Sequence, residues 1–234
     1  MIGSQYKDQD HLLVALDCII FGFDRSELKL LLIKRDFEPE KGKWSLMGGF
    51  LTQHESLDES AERILHKLTG LENIYLEQLQ AFGEVDRDPV ERTISVAYYA
   101  LIDILSHSEE IAEDYSASWF SIHELPELIF DHRQMVDAAL KRLRHKASTH
   151  PVGFELLPEK FTLPELQKLY EAIYDTQIDK RNFRRRMLGT DVLRKTNQKQ
   201  KKFSKKGAWL YEFDSEKYFE KMEQGDNLVF KPLN

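Results

Sequence analysis

GGFLTQHESLDESAERILHKLTGL, residues 48–71, is the stretch on which the fold turns. Two glycines open it, and Gly70 stands one residue before its end. Ser56, with Glu59 three residues on, makes a capping box, so the spacing predicts a helix over 56–69. A glycine turn running into a capped helix is a frame that suits a metal and a diphosphate. At about 100° per residue, positions 64, 67 and 68 share one face of that helix. Magnesium needs hard oxygen ligands, but this face offers Ile64, Lys67 and Leu68. An ammonium there repels a cation. Glu59 and Glu62 point to roughly the opposite side, and Glu55 alone is a poor metal site. We therefore expect no metal, no cofactor and no metal-dependent diphosphate hydrolysis. Ile64 and Leu68 suit a packed scaffold helix equally well.

Working outward, the 234 residues suffice for one large domain or two small ones. A hydrophobic share of 41% is that of a globular chain. The longest apolar run, LLVALDCIIFGF (12–23), is interrupted by Asp17 and is too short for a membrane span. The N-terminal MIGSQYKDQDHLL lacks the basic start and apolar core of a signal peptide. Cys18 is the single cysteine, so no internal disulfide can form. A reduced cytoplasmic setting without a membrane partner is expected. The net charge of −7 conceals an asymmetry. Residues 1–150 hold 16 Lys and Arg against 27 Asp and Glu, whereas residues 151–234 hold 17 against 13. Between Lys180 and Lys206 there are 12 basic residues and one acid, Asp191. An acidic body with a basic end suggests two tasks, one of them on a polyanion.

Residues 11–23 and 28–34 read as strands joined by a turn at DRSE (24–27). DFEPEKGK (36–43) reads as a polar loop and TISVAYYALI (93–102) as a strand. SWFSIHELPEL (118–128) reads as a strand running into a short helix, and 131–147 as an amphipathic helix. STHPVG (148–153) is the expected linker, because Pro and Gly break the helix where the charge balance changes. Beyond it, Thr162 with Glu165 makes a second capping box, with Phe161 and Leu166 as a hydrophobic staple. Asp179 caps a further helix, with Ile178 and Phe183 as its staple. The short DTQI (175–178) between them makes a helix-turn-helix. A basic stretch then leads to the strand AWLYEFD (208–214), the order of a winged helix.

Gly49, Glu55, Arg63, Leu65, Gly70 and Leu71 stand at the places of the Nudix signature, and the first 145 residues or so resemble the Nudix fold. The family's three helical glutamates, which hold divalent cations and help generate the attacking hydroxide, fall on Ile64, Lys67 and Leu68. WSLMGGFL, YLEQLQAFGEVDRDP, SVAYYAL and the helix-turn-helix tail together are similar to the Nudix-related transcriptional regulators. That likeness runs from about residue 10 to 215. It implies an α+β chain: an N-terminal Nudix fold, an α/β/α sandwich, over 1–147, the linker 148–153, and a C-terminal winged helix-turn-helix over 154–234. It also implies a homodimer and double-stranded operator DNA as partner. One branch senses ADP-ribose and another responds to L-arabinose. Met47 stands where a proline is common, and Val90-Glu91-Arg92 where a more basic run is common. Those departures favour a neutral sugar, so a repressor of carbohydrate utilisation sensing L-arabinose is expected. An ADP-ribose-responsive regulator of NAD metabolism is the alternative, and a divergent Nudix hydrolase or an RNA-binding scaffold are the rivals.

The expected effector residues are Asp17, Lys34, Lys43, Trp44, Gly49, Asp86 and Arg92. Asp17 lies in an apolar run, where a charge is costly unless paired or facing a ligand. A buried salt bridge explains it as well as a ligand does. Lys34, Arg35 and Lys43 suit phosphates, and Trp44 suits a sugar or base face. A solvated rim is the plainer explanation for the basic three. GEVDRDPVERT (83–93) is a charged loop that can close over a ligand, meet a second copy or be plain surface. On the basic end, Lys180 and Arg181 oppose the helix dipole, which stability alone would avoid. With Phe183 and Met187 facing inward, Asn182, Arg185 and Arg186 are candidates for the major groove. Arg181 and Arg184 serve bases or phosphates, and Arg194, Lys195, Lys201 and Lys202 belong to a phosphate-tracking wing.

Overall fold

The spine of the molecule is β1 (Leu13–Phe23), an eleven-residue strand buried on both faces through most of its length. Alternate residues serve opposite sides. Leu16, Cys18 and Ile20 enter one apolar cluster, and Ile19, Phe21 and Phe23 enter the other. A strand covered on both faces reads as a continuous apolar run for this reason. The computed structural model describes residues 9–107, 116–201, 207–226 and 228–230. Around β1 stand β2 (Leu28–Lys34), β3 (Trp44–Ser45) and β4 (Met47–Phe50), then α1 (Leu57–Thr69), β5 (Glu77–Phe82), β6 (Thr93–Asp103), β7 (Ala117–Ser121) and α2 (His132–Thr149). The seven strands form one mixed sheet in the order β3-β2-β1-β6-β5, with β4 on β1 and β7 on β2. β1 and β6 run parallel over eleven residue pairs. The opposite edge of β1 is shared. β4 takes Ala15–Cys18 and β2 takes Phe21–Phe23, both antiparallel.

α1 covers one face with Ala61, Ile64 and Leu65, and α2 covers the other with Met135, Val136, Ala139 and Leu143. This is the expected α/β/α sandwich. The capping box on α1 forms as read: Ser56 Oγ accepts from Glu59 N–H, and the Glu59 carboxylate accepts from Ser56 N–H at 2.8 Å. Gly70 closes the helix at φ 77°. The expected short helix in 118–128 is a correction. After Ser121 the chain makes a turn, and Leu128 forms a parallel bridge with Trp44. Pro126 disfavours helical geometry at Leu125, and the Ile129 N–H donates to the Trp44 carbonyl at 3.1 Å, which extends the segment instead.

The expected linker begins inside α2, which continues to Thr149. A single 3-10 turn, Phe154–Leu156, follows Gly153, whose φ of 83° places it in the left-handed region. Then come β8 (Phe161–Thr162), α3 (Leu163–Tyr174), α4 (Lys180–Gly189), β9 (Leu193–Gln200), β10 (Ala208–Phe213) and α5 (Ser215–Glu223). The strands form a sheet in the order β8-β10-β9 beside the α3–α4 pair, a winged helix. α5 was not read from the sequence, although Asp214 caps it by accepting from the Lys217 N–H at 3.1 Å. One apolar cluster joins α2, α3, α4 and α5, through Leu143, Leu169, Phe183 and Tyr218 among others. No helix among the described residues is long and apolar enough to cross a membrane.

Candidate functional site

Two strands cannot follow one edge of β1 for long without parting. Where β2 and β4 separate, a cavity of about 400 Å³ opens, within the range of small-molecule sites. β1 supplies Ala15 and Asp17, β2 supplies Ile33 with Arg35 just past its end, and β4 supplies Gly48, Gly49 and Phe50. α1 contributes Arg63, Ile64, Lys67 and Leu68, and the far wall holds Arg87, Phe130 and His132.

Asp17 is 4% exposed and anchors the floor. Its Oδ2 accepts from Ser95 Oγ at 2.6 Å. Arg87 approaches the same oxygen at 3.8 Å while gripping Asp131 with two hydrogen bonds of 3.0 and 2.8 Å. His132 Nδ1 accepts from the Leu46 N–H at 3.1 Å, which leaves the ring proton on Nε2, 3.6 Å from Asp17 Oδ1. Burial holds the His132 pKa below the ordinary imidazole value, against the pull of Asp17 and Asp131. Gly48 is required by this floor, because a Cβ there would lie 2.5 Å from Asp17 Oδ1.

The α1 wall differs in kind. A Cβ on Gly49 would lie 2.9 Å from Ile64, so the isoleucine side chain lies against that bare backbone. Burying Ile64 contributes about 2 kcal/mol. The one glutamate of the loop, Glu55, is taken by Arg63 through bonds of 2.7 and 2.6 Å and by the Thr52 N–H at 2.8 Å. Arg63 draws the Glu55 pKa down to about 2. Among the described residues, no group of three His, Cys, Asp or Glu is placed to hold a metal ion.

Of the expected effector residues, Asp17 and Gly49 line this cavity and the other five do not. Lys34 sits over Trp44, 5.2 Å from its ring centroid, and Trp44 is edge-on to Phe120 at 4.7 Å. Side chains alternate along a strand, so Ile33 and Arg35 reach the cavity while Lys34 points away. Lys43 pairs with Glu40. Asp86 is exposed, and Arg92 ties the 83–93 loop shut on the Gly83 and Glu84 carbonyls at 2.8 and 3.1 Å. The residues the sequence does not single out are Lys67, Phe130 and His132 as cavity groups and Arg87 as more than a member of a charged run, whereas Arg35, one of the three basic residues suited to phosphates, does line the cavity.

On the basic end, Asp179 caps α4 by accepting from the Asn182 N–H at 2.8 Å. Phe183 and Met187 are buried as expected. Lys180, Arg181, Arg184 and Arg185 are exposed, and Arg185 donates to Asn182 Oδ1 at 3.0 Å. Arg186 is half-buried. In the wing, Lys195 and Lys199 lie over Trp209 at 3.9 and 4.3 Å from its ring centroid. Arg194 is held by Glu212 at 2.8 Å. Lys201 is exposed, and Lys202 lies outside the described residues.

A cavity on a sandwich of this topology, joined to a winged helix, is a specific combination. A family model for the NUDIX domain matches residues 11–139, and one for the NrtR DNA-binding winged helix domain matches residues 153–213. The chain belongs to the Nudix family and carries an NrtR-type winged helix. This Nudix protein is 35% identical to the ADPR responsive transcriptional repressor NtrR of Acinetobacter baylyi, over 92% of this chain and 88% of the relative. It is also similar to Shewanella oneidensis NrtR complexed with a 27mer DNA, at 33% identity and a TM-score of 0.74, covering 86% of this chain and 93% of that one. The NUDIX domain of the same Shewanella protein, complexed with ADP ribose, matches at 29% identity and a TM-score of 0.50, over 61% of this chain and 99% of that one. The preference for L-arabinose expected from the sequence finds no support among these relatives. The structure gives a reason. Val90, Glu91 and Arg92, whose departures favoured a neutral sugar, lie outside the cavity lining, and the cation of their loop that does line it is Arg87.

Proposed function

We propose that this Nudix protein is a DNA-binding transcriptional repressor that senses ADP-ribose in the cavity of its N-terminal domain. The observation that carries the reading is the extent of the likeness to the Acinetobacter repressor, which spans sandwich and winged helix alike. The cavity is compatible with such a ligand: Arg35 and Lys67 suit phosphates, and Phe37, Phe50 and Phe130 offer faces for a base or ribose. In this reading residues 1–147 bind the effector, 148–153 form the junction, 154–234 bind DNA, and the protein acts as a homodimer on a two-fold operator. Hydrolysis is not part of the proposal, because the α1 face that would need oxygen ligands carries Ile64, Lys67 and Leu68.

Helix α2 is the proposed route of control. It begins at His132 and Asp131, beside Asp17, and spans about 27 Å. Near its other end Arg144 Nε donates to the Ile173 carbonyl of α3 at 2.9 Å, and Tyr174 Oη donates to the Arg144 carbonyl at 3.1 Å. A ligand biases the winged helices only if it binds their two arrangements with different affinity. The test is fluorescence anisotropy with DNA from upstream of the protein's own gene at fixed salt, titrated separately with ADP-ribose and with L-arabinose. Release by ADP-ribose alone is expected. Release by L-arabinose alone would restore the sugar branch, and magnesium-dependent turnover of ADP-ribose would make the protein an enzyme.

A further inference from the structure

Four cationic side chains line the effector cavity: Arg35, Arg63, Lys67 and Arg87. Three of them are already engaged. Arg35 Nε donates to the Phe37 and Pro39 carbonyls at 3.1 and 2.6 Å, and its guanidinium lies 3.7 Å from the Phe37 ring centroid. Arg63 holds Glu55, and Arg87 holds Asp131. Lys67 has no hydrogen-bond or ion-pair partner among the described residues, and it is exposed at the cavity wall. Its helical neighbours offer none. Position 63 is an arginine, 64 and 71 are apolar, and the nearest acid beyond the helix, Glu72, meets His66 at 3.0 Å. The helix dipole favours a cation in the last turn of α1 on any side. It does not explain why this one is turned toward the cavity.

The fold family implies a divalent metal on this wall, and the residues present do not fit one. Ile64 fills the space against Gly49, the carboxylate of Glu55 is held by Arg63 and Thr52, and Lys67 brings positive charge to the face itself. A diphosphate entering here still carries negative charge that needs a partner. We infer that Lys67 replaces the metal, supplying the positive charge that a divalent cation would give to the diphosphate of a nucleoside diphosphate effector, so that binding is metal-independent. The exchange also separates sensing from turnover. An ammonium attracts the phosphates as a cation does, yet it activates no water for attack on them.

This inference rests on the proposed ADP-ribose reading. The experiment is isothermal titration of the full chain with ADP-ribose, once in EDTA and once in magnesium chloride, on the wild type and on Lys67→Gln and Lys67→Arg. The wild type is expected to bind equally well in both buffers. Lys67→Gln should weaken binding about tenfold in both, as loss of one charge-assisted hydrogen bond does, and Lys67→Arg should retain most of the affinity. Both variants sit at an exposed position, so circular dichroism should match the wild type. Wild-type binding that requires magnesium, or an unchanged affinity in Lys67→Gln, would overturn the inference while leaving ADP-ribose as the effector. Absence of wild-type binding in both buffers would instead remove the ADP-ribose reading and the inference with it.

Discussion

Arg87 in the cavity and the cations of α4 carry the same charge, but the molecule treats them in opposite ways. In the cavity Arg87 is 7% exposed and is locked between Asp131 and Asp17. On α4, Lys180, Arg181, Arg184 and Arg185 stand in water, and no acidic residue occupies the first turn. A buried cation has its counter-charge inside the molecule because desolvation demands it. An exposed cluster leaves its charge to be met from outside, as a polyanion would meet it. The difference separates cations that hold the fold from those available to a partner, and it is a better guide than the number of basic residues in a stretch.

The largest effect is expected at Arg87. Arg87→Ala leaves Asp17 and Asp131 without their cation and should cost about 3–5 kcal/mol of stability in urea unfolding. A loss below about 1 kcal/mol would mean that water compensates both carboxylates and that the site is not closed. Next in size, Arg185→Ala should weaken operator binding by about 1–3 kcal/mol, with ADP-ribose affinity and the unfolding midpoint unchanged. Equal loss of both affinities would contradict the separation of roles.

Two smaller effects sharpen the electrostatic side through pH. His132 has a folded pKa below its unfolded value. The unfolded chain therefore takes up a proton first as pH falls, and stability declines as pH drops below about 6.5. His132→Gln should flatten that decline in midpoints measured from neutral pH to about 5. Glu55 has its pKa lowered to about 2, chiefly by Arg63. Its contribution is present above the ordinary carboxylate value and is lost as pH falls toward 2. Glu55→Gln should therefore differ slightly from the wild type at neutral pH and converge on it in acid, an effect kept small by solvent screening at the exposed Arg63.

Local signals carried the reading of the sequence furthest. Both capping boxes, the Asp179 cap, the strand over 11–23 and the inward face of α4 depend on residues within a few positions of one another, and they appear where expected. Where tertiary context decides, the reading stopped. Leu128 is drawn into a bridge with Trp44 from 84 residues away, which unmade an expected helix. At the cavity, the buried charge of Asp17 signalled that a cation must come, but nothing local to it selects Arg87 or His132, distant in sequence by 70 and 115 residues. Arg35 was within reach. It sits one residue past the end of β2 and two positions beyond Ile33, where a period of two carried on from the strand picks it over Lys34.

In the proposed mechanism the cavity and the winged helix are coupled through α2, and coupling is reciprocal. The direct measurement is the affinity for ADP-ribose of the full chain, first free and then saturated with its operator DNA, at one salt concentration. DNA is expected to weaken ADP-ribose binding by the same factor by which ADP-ribose weakens DNA binding. Equal ADP-ribose affinity in the two states would contradict it, because a ligand indifferent to the DNA-bound arrangement cannot control it.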